Sequence, residues 1–224
     1  MLQTSLKFFL LALGLGMAAC GGNTTEQTQN QSPTAATAPA KTKNILIFGN
    51  SLTAGYGLEP AEAYPALLQN RIDSLQLPYK VINAGLSGET TSGGNSRLDW
   101  VLKNPVDIFV LELGGNDGLR GIPATETRKN LQTMMDKVRT KYPQATIVLA
   151  GMQVPPSMGK KYADEFKVIY PELAQKNKAL LIPFLLEKVG GEVALNQKDG
   201  IHPNAEGAKI VADNVWAILK DVVK

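Results

Sequence analysis

Three side chains in this sequence have the types that nucleophilic acyl chemistry needs. His202 is the only histidine among 224 residues. It stands in Asp199-Gly200-Ile201-His202-Pro203-Asn204, with a carboxylate three residues before it and a stiffening proline directly after. Ser51 stands far upstream, in Gly49-Asn50-Ser51-Leu52. Hydrolysis through a serine requires a hydroxyl, a neutral imidazole within hydrogen-bond reach, and an acid that fixes the imidazole's tautomer. It also requires donors aimed at the oxyanion formed on the attacked carbonyl. Ser51, His202 and Asp199 meet the first three needs by type, and any Ser–His mechanism here must use His202. For the donors, Asn116 in Gly114-Gly115-Asn116-Asp117 offers a side-chain amide. Gly88, in Asn83-Ala84-Gly85-Leu86-Ser87-Gly88-Glu89-Thr90, offers an unhindered backbone N–H. Each residue taken alone has a plainer reading. Ser51 suits a helix cap or a phosphate contact, a lone histidine is more often structural, and Gly-Gly-Asn-Asp is good turn chemistry.

These segments meet only if the fold delivers them to one edge. Ile45-Leu46-Ile47-Phe48 is an apolar run that stops at Gly49, which reads as a buried strand feeding a tight turn. From there strand and helix patterns alternate. The helical stretches are Ala63–Leu75, Ser92–Leu102, Thr125–Lys141, Lys161–Asn177 (with Pro171 as a break or kink) and Asn204–Val222. The further strands are Tyr79–Asn83, Asp107–Leu113, Ala145–Ala150 and Ala179–Ile182. Such alternation predicts an α/β domain with an open five-stranded parallel sheet, helices on both faces, and ligands at the carboxyl ends of the strands. The count suits a flavodoxin-like order better than a barrel of eight strands. Three of the four segments directly follow strands, and the fourth precedes the last helix.

In order and approximate spacing, the four segments resemble the four blocks of the SGNH (GDSL) hydrolase family, over about residues 43–222. Glu112-Leu113-Gly114-Gly115-Asn116-Asp117-Gly118-Leu119-Arg120-Gly121 and Gly151-Met152-Gln153-Val154-Pro155-Pro156 are similar in detail to its bacterial periplasmic arylesterase, thioesterase and lysophospholipase branch. The resemblance implies Ser51 as nucleophile, His202 as base, and Asp199 as the group that orients His202. It implies an oxyanion hole from the Ser51 N–H, the Gly88 N–H and the Asn116 side chain, in a flavodoxin-like three-layer α/β/α sandwich. One position departs from the pattern: Asn50 stands where the family usually has aspartate. Asparagine is nearly isosteric and keeps an acceptor oxygen, so the turn and the activity are expected to survive.

The expected reaction is hydrolysis of carboxylic esters through an acyl-enzyme, with no metal and no cofactor. Small aryl esters and short to medium acyl chains are the natural expectation, with lysophospholipids or thioesters as further members of the class. An acyl pocket is expected from Leu119, Ile122, Val154, Pro155 and Met158, in the segments after the third and fourth strands. Residues 118–123, flanked by Gly118 and Gly121, are a candidate flap over substrate. Two rivals stand beside this reading. One is a carbohydrate acetylesterase, for which Trp100 and Tyr56 are the few aromatic platforms. The other is a lipid-anchored binding protein that kept the fold but not the chemistry.

Other classes find little support. A single Cys and a single His argue against a structural zinc site. The net charge of +3 is scattered, with no Lys/Arg block, which argues against nucleic acid. Neither a Walker-type phosphate loop nor a good dinucleotide fingerprint occurs, and the Gly-x-Ser-x-Gly elbow is absent because Thr53 follows Leu52. Glu89, Glu112 and Asp117 have the types of an acid pair, but nothing else supports glycosidase chemistry.

The N-terminus has the layout of a targeting segment. Lys7 precedes an apolar run, Phe8–Ala19, shorter than the about 20 residues of a membrane span. Met17-Ala18-Ala19-Cys20 resembles a bacterial lipoprotein signal, which implies cleavage before Cys20 and lipid attachment to it. Residues 20–43 are rich in Gly, Asn, Thr, Gln, Ser, Pro and Ala and read as a tether. The expected organisation is a signal peptide at 1–19, a lipid-anchored tether at 20–43 and a hydrolase domain at 44–224, held in the cell envelope, periplasmic or at the outer membrane.

Overall fold

The computed structural model describes residues 41–224. The expected signal peptide, Cys20 and nearly all of the tether lie outside the described residues. Five parallel strands form one sheet: β1 (Lys43–Gly49), β2 (Tyr79–Gly85), β3 (Ile108–Glu112), β4 (Thr146–Ala150) and β5 (Leu180–Ile182). Their order is β2-β1-β3-β4-β5, the flavodoxin-like order the strand count suggested. All five residues of β3 are buried, and successive strand residues point to opposite faces, so the sheet is covered on both sides. The covering helices are α2 (Tyr64–Ser74) with α8 (Ala205–Leu219), which pack together, and α3 (Thr91–Val101), α5 (Ala124–Lys141) and α7 (Ile169–Asn177), which pack in a row. This is a three-layer α/β/α sandwich.

The sequence accounts for these elements directly. In α5, Leu131, Met134, Met135 and Val138 recur at helical spacing and are all fully buried. In β1, Ile45, Ile47 and Phe48 have no solvent access; burying a side chain of this kind is worth about 1.5–3 kcal/mol. The helix expected over Lys161–Asn177 is two helices, α6 (Lys160–Lys167) and α7, parted at Val168. Pro171 explains the break. It cannot bond to the carbonyl four residues back, that of Lys167, and its ring would clash there. It fits instead in the first turn of α7, where no N–H partner is needed. Strand β2 runs two residues past its expected end because Ala84 and Gly85 still pair with Phe48 and Gly49. Among the described residues, no helix is long and apolar enough to cross a membrane.

Register fixes the business end of the sheet. Gly49 pairs with Gly85 on one side and with Glu112 on the other. The loops leaving β1, β2 and β3 therefore emerge side by side. Two very short helices begin there, α1 (Ser51–Ala54) and α4 (Gly115–Leu119), neither expected from the sequence pattern.

Candidate active site

Ser51 opens α1, and Asn50 is its cap. The Asn50 side-chain oxygen accepts the Leu52 N–H at 2.9 Å, as a helix-capping residue should. Aspartate would do the same, so the capping role of this position survives its replacement by asparagine. Gly49 must be glycine for a steric reason: a Cβ there would run into the Thr53 hydroxyl and the Glu112 carboxylate.

His202 arrives from the other end of the chain. Its loop is closed by the Gln197 N–H to the His202 carbonyl at 2.7 Å and by the Asn204 N–H to the Leu195 carbonyl at 2.9 Å. Asn204 then caps α8, accepting the Gly207 N–H at 3.0 Å. In this turn the Asp199 Oδ1 accepts the backbone N–H groups of Ile201 (2.9 Å) and His202 (3.0 Å), while Oδ2 faces His202 Nδ1 at 2.6 Å. The His202 N–H, the Ile201 N–H and the imidazole, in that order, pull the Asp199 carboxyl down to about 2. Asp199 is thus an anion at neutral pH and can only accept. Nδ1 carries the proton, and Nε2 is left with a free lone pair. That lone pair faces Ser51 Oγ at 2.9 Å. The three residues form one hydrogen-bonded chain. The Tyr56 ring lies against the imidazole, centroids 4.7 Å apart, and its carbonyl accepts from the Gln197 side chain at 2.7 Å.

Gly88 and Asn116 are brought together by three cross-links between their loops. The Asn116 amide donates to the Glu89 carbonyl at 2.9 Å, and Arg120 donates to the Gly88 carbonyl at 3.0 Å. The buried Asp117 carboxylate accepts from the Thr91 N–H at 2.9 Å and from the Thr91 hydroxyl. Gly88 has φ +79°, a conformation that favours glycine. Asn116 uses one amide hydrogen on Glu89 and keeps a second to offer.

A cavity of about 250 Å³ opens beside Ser51 and His202. Ser51, Asn116, His202, Leu119 and Pro155 line it, as does Asn50. Of the expected pocket residues, Ile122, Val154 and Met158 do not, and Gly88 lies outside its wall. Val154 is turned away because it packs over Gly118, where a Cβ would strike it. The Ile122 carbonyl is tied to the Tyr162 hydroxyl at 2.6 Å, which holds that segment to α6. Met152, Gln153, Phe184, Leu186 and Ile201 also line the cavity, with Leu52, Gly115 and Gly200. Phe184 and Leu186 follow β5, so the strand-end rule, applied to all five strands, finds them. Among the described residues, no Asp, Glu, Lys or Arg side chain lines this cavity. The three acids singled out in the sequence are all engaged elsewhere: Glu89 with Arg97 at 2.6 Å, Asp117 with Thr91, and Glu112 beneath the Ser51 turn.

This chain is similar to known proteins in sequence and in fold. The model of the GDSL-like Lipase/Acylhydrolase family matches residues 47–210. The Esterase TesA of Pseudomonas aeruginosa is 38% identical over 188 residues, 84% of this chain and 92% of that protein. The Thioesterase 1/protease 1/lysophospholipase L1 of Escherichia coli strain K12 is 39% identical, over 82% of this chain and 86% of that one. A crystal structure of TesA superposes with a TM-score of 0.77 at 39% identity, covering 80% of this chain and 99% of the other. With the family match reaching from the first strand into the last helix, and the same sheet recurring in a relative's crystal structure, the chain belongs to the GDSL-like Lipase/Acylhydrolase family.

Proposed function

We propose that this protein is a serine ester hydrolase in which Ser51 is the nucleophile, His202 the general base and acid, and Asp199 the group that orients His202. The observation that carries this reading is the continuous Asp199–His202–Ser51 hydrogen-bonded chain at the mouth of an uncharged cavity. His202 Nε2 takes the Ser51 proton as Oγ attacks the ester carbonyl, and the imidazolium that forms is stabilised by the Asp199 anion. The oxyanion is received by the Ser51 N–H, the Gly88 N–H and the free Asn116 amide hydrogen. His202 returns its proton to the departing alcohol, then activates the water that releases the acid. The chemistry requires no metal or cofactor.

The cavity sets the substrate class. Its volume, about 250 Å³, lies just below the ~300–1,000 Å³ usual for ligand pockets. Its wall is mainly Leu119, Met152, Phe184, Leu186 and Ile201, so it suits an uncharged acyl group of short to medium length. The names of the relatives support carboxylic esters, thioesters and lysophospholipids as members of the same class. An organophosphonate ester should add covalently to Ser51 in the wild type, detected as a mass shift on the Ser51 peptide. Labelling at another residue, or none, would overturn the assignment.

The first 20 residues support a location in the cell envelope, periplasmic or at the outer membrane, with a lipid anchor at Cys20. The expected result is that a Cys20→Ser variant leaves the membrane fraction; a variant that stays there would refute the anchor.

A further inference from the structure

Glu112 ends β3 with no solvent access. Its Oε2 accepts the Asn50 N–H at 3.0 Å and the Thr53 hydroxyl at 2.7 Å, and Thr53 Oγ1 also lies 2.8 Å from the Tyr64 hydroxyl. Its Oε1 is buried without a partner among the described residues. The two anchored residues flank Ser51, one directly before it and one two residues after. Ser51 itself opens a helix of only four residues. So short a helix cannot hold its own geometry, because nucleation costs more than one turn of bonds returns. It must be held from outside. The ties observed are the Asn83 amide to the Thr53 carbonyl at 2.9 Å, from β2, the Tyr64 hydroxyl at 2.8 Å from Thr53 Oγ1, from α2, and Glu112, from β3. Glu112 does so from beneath, opposite Gly49 in the ladder.

We propose that Glu112 is a positioning residue for the nucleophile. By holding Asn50 and Thr53 from the β3 side, it fixes the first turn of α1 and so the approach of Ser51 Oγ to His202, without touching substrate. The proposal rests on the reading of Ser51 as nucleophile. A partnerless buried oxygen is a costly feature, and the same space filled by an apolar side chain would serve packing alone. Burial, opposed by the hydrogen bonds from Thr53 and Asn50, pushes the carboxyl up to about 7. Tyr64 from α2 and Tyr170 from α7 are raised chiefly by their own burial, with the Glu112 charge adding to it. Either protonation state leaves Oε2 as an acceptor, since Oε1 is free to take the proton.

The test compares Glu112→Met, which keeps length and removes the acceptor, with Glu112→Gln, which keeps an acceptor. The full chain is used, and folding is checked by thermal unfolding. Glu112→Met should lower kcat by roughly 10- to 100-fold with KM within about threefold, since small misplacements of reacting groups cost up to about 10². Its rate of Ser51 labelling by a phosphonate should fall in step. Glu112→Gln should restore kcat to within about threefold of wild type. A folded Glu112→Met with wild-type kcat, or a Glu112→Gln as slow as Glu112→Met, overturns the proposal. Should Glu112→Met fail to fold, Thr53→Val removes one anchor and keeps the shape. A fall in kcat at constant KM supports the proposal, and an unchanged kcat refutes it. Ser51→Ala runs alongside. If it turns over like wild type, the nucleophile reading has failed; if it is inactive while Glu112→Met is normal, only the positioning role falls.

Discussion

His202 Nε2 lies 2.9 Å from Ser51 Oγ, although 151 residues separate them in the chain. Each is placed by its own local device. Ser51 follows the end of the buried strand β1, and His202 sits in a loop closed at its base and capped onto α8. The sheet brings these devices together, and Asp199 then decides which imidazole nitrogen is free.

Asp199→Asn should fold normally and lose activity. The amide keeps an oxygen for the backbone N–H groups of Ile201 and His202 but removes the charge that holds the imidazole tautomer. The same change in a serine-protease triad costs about 10⁴ in kcat, and a loss of roughly 10²–10⁴ is expected here. The ionisation itself limits nothing in the working range: a carboxyl pulled down to about 2 is charged at every higher pH. Its contribution to stability is present above the ordinary carboxylate value and is lost as pH falls toward about 2. Steady-state kinetics on an aryl ester, with circular dichroism, checks the prediction.

Asn116→Ala should reduce kcat by about 10²–10³ with little change in KM, the usual cost of one oxyanion donor. A larger rise in KM than fall in kcat would mean that Asn116 binds ground-state substrate instead.

The cavity wall should set acyl length. Leu186→Ala and Phe184→Ala enlarge it, and each should raise the decanoate-to-butyrate ratio of kcat/KM by at least about fivefold. Met158→Ala and Ile122→Ala, which lie off the wall, should leave the ratio unchanged. Paired p-nitrophenyl esters measure this directly.

Glu112 should make stability depend on pH in the direction opposite to Asp199. Its carboxyl is raised by burial to about 7 from 4.5, so the folded state favours the protonated form. The stability it contributes is full below about 4.5 and is lost as pH rises through about 7, on the order of 3 kcal/mol in all. Glu112→Gln removes this dependence. Urea unfolding at about pH 5 and about pH 8 should show the variant gaining on wild type at the higher pH; a constant difference would contradict the account.

Much of this site was legible in the sequence because its parts are local. Asp199 and His202 share one turn, and Ser51, Gly88 and Asn116 follow strands or open helices whose apolar runs are plain. The sheet class came from alternating patterns, and the order β2-β1-β3-β4-β5 agrees with the strand count. The pocket was less legible. Val154 has the right type and position, but Gly118 draws it inward, and only three-dimensional packing reveals that. Phe184 and Leu186 follow β5, outside the segments after the third and fourth strands from which the sequence pattern draws its pocket. Glu112 reads from sequence as one acid among several. Its place beneath Asn50 depends on the register between β1 and β3, which no local pattern encodes.

The central claim is tested most directly by Ser51→Ala beside wild type on p-nitrophenyl acetate, butyrate and decanoate. Wild type should turn over, with the shorter chains preferred, and the variant should lose essentially all turnover while unfolding at the same temperature. A folded Ser51→Ala protein that hydrolyses these esters at the wild-type rate would contradict the account.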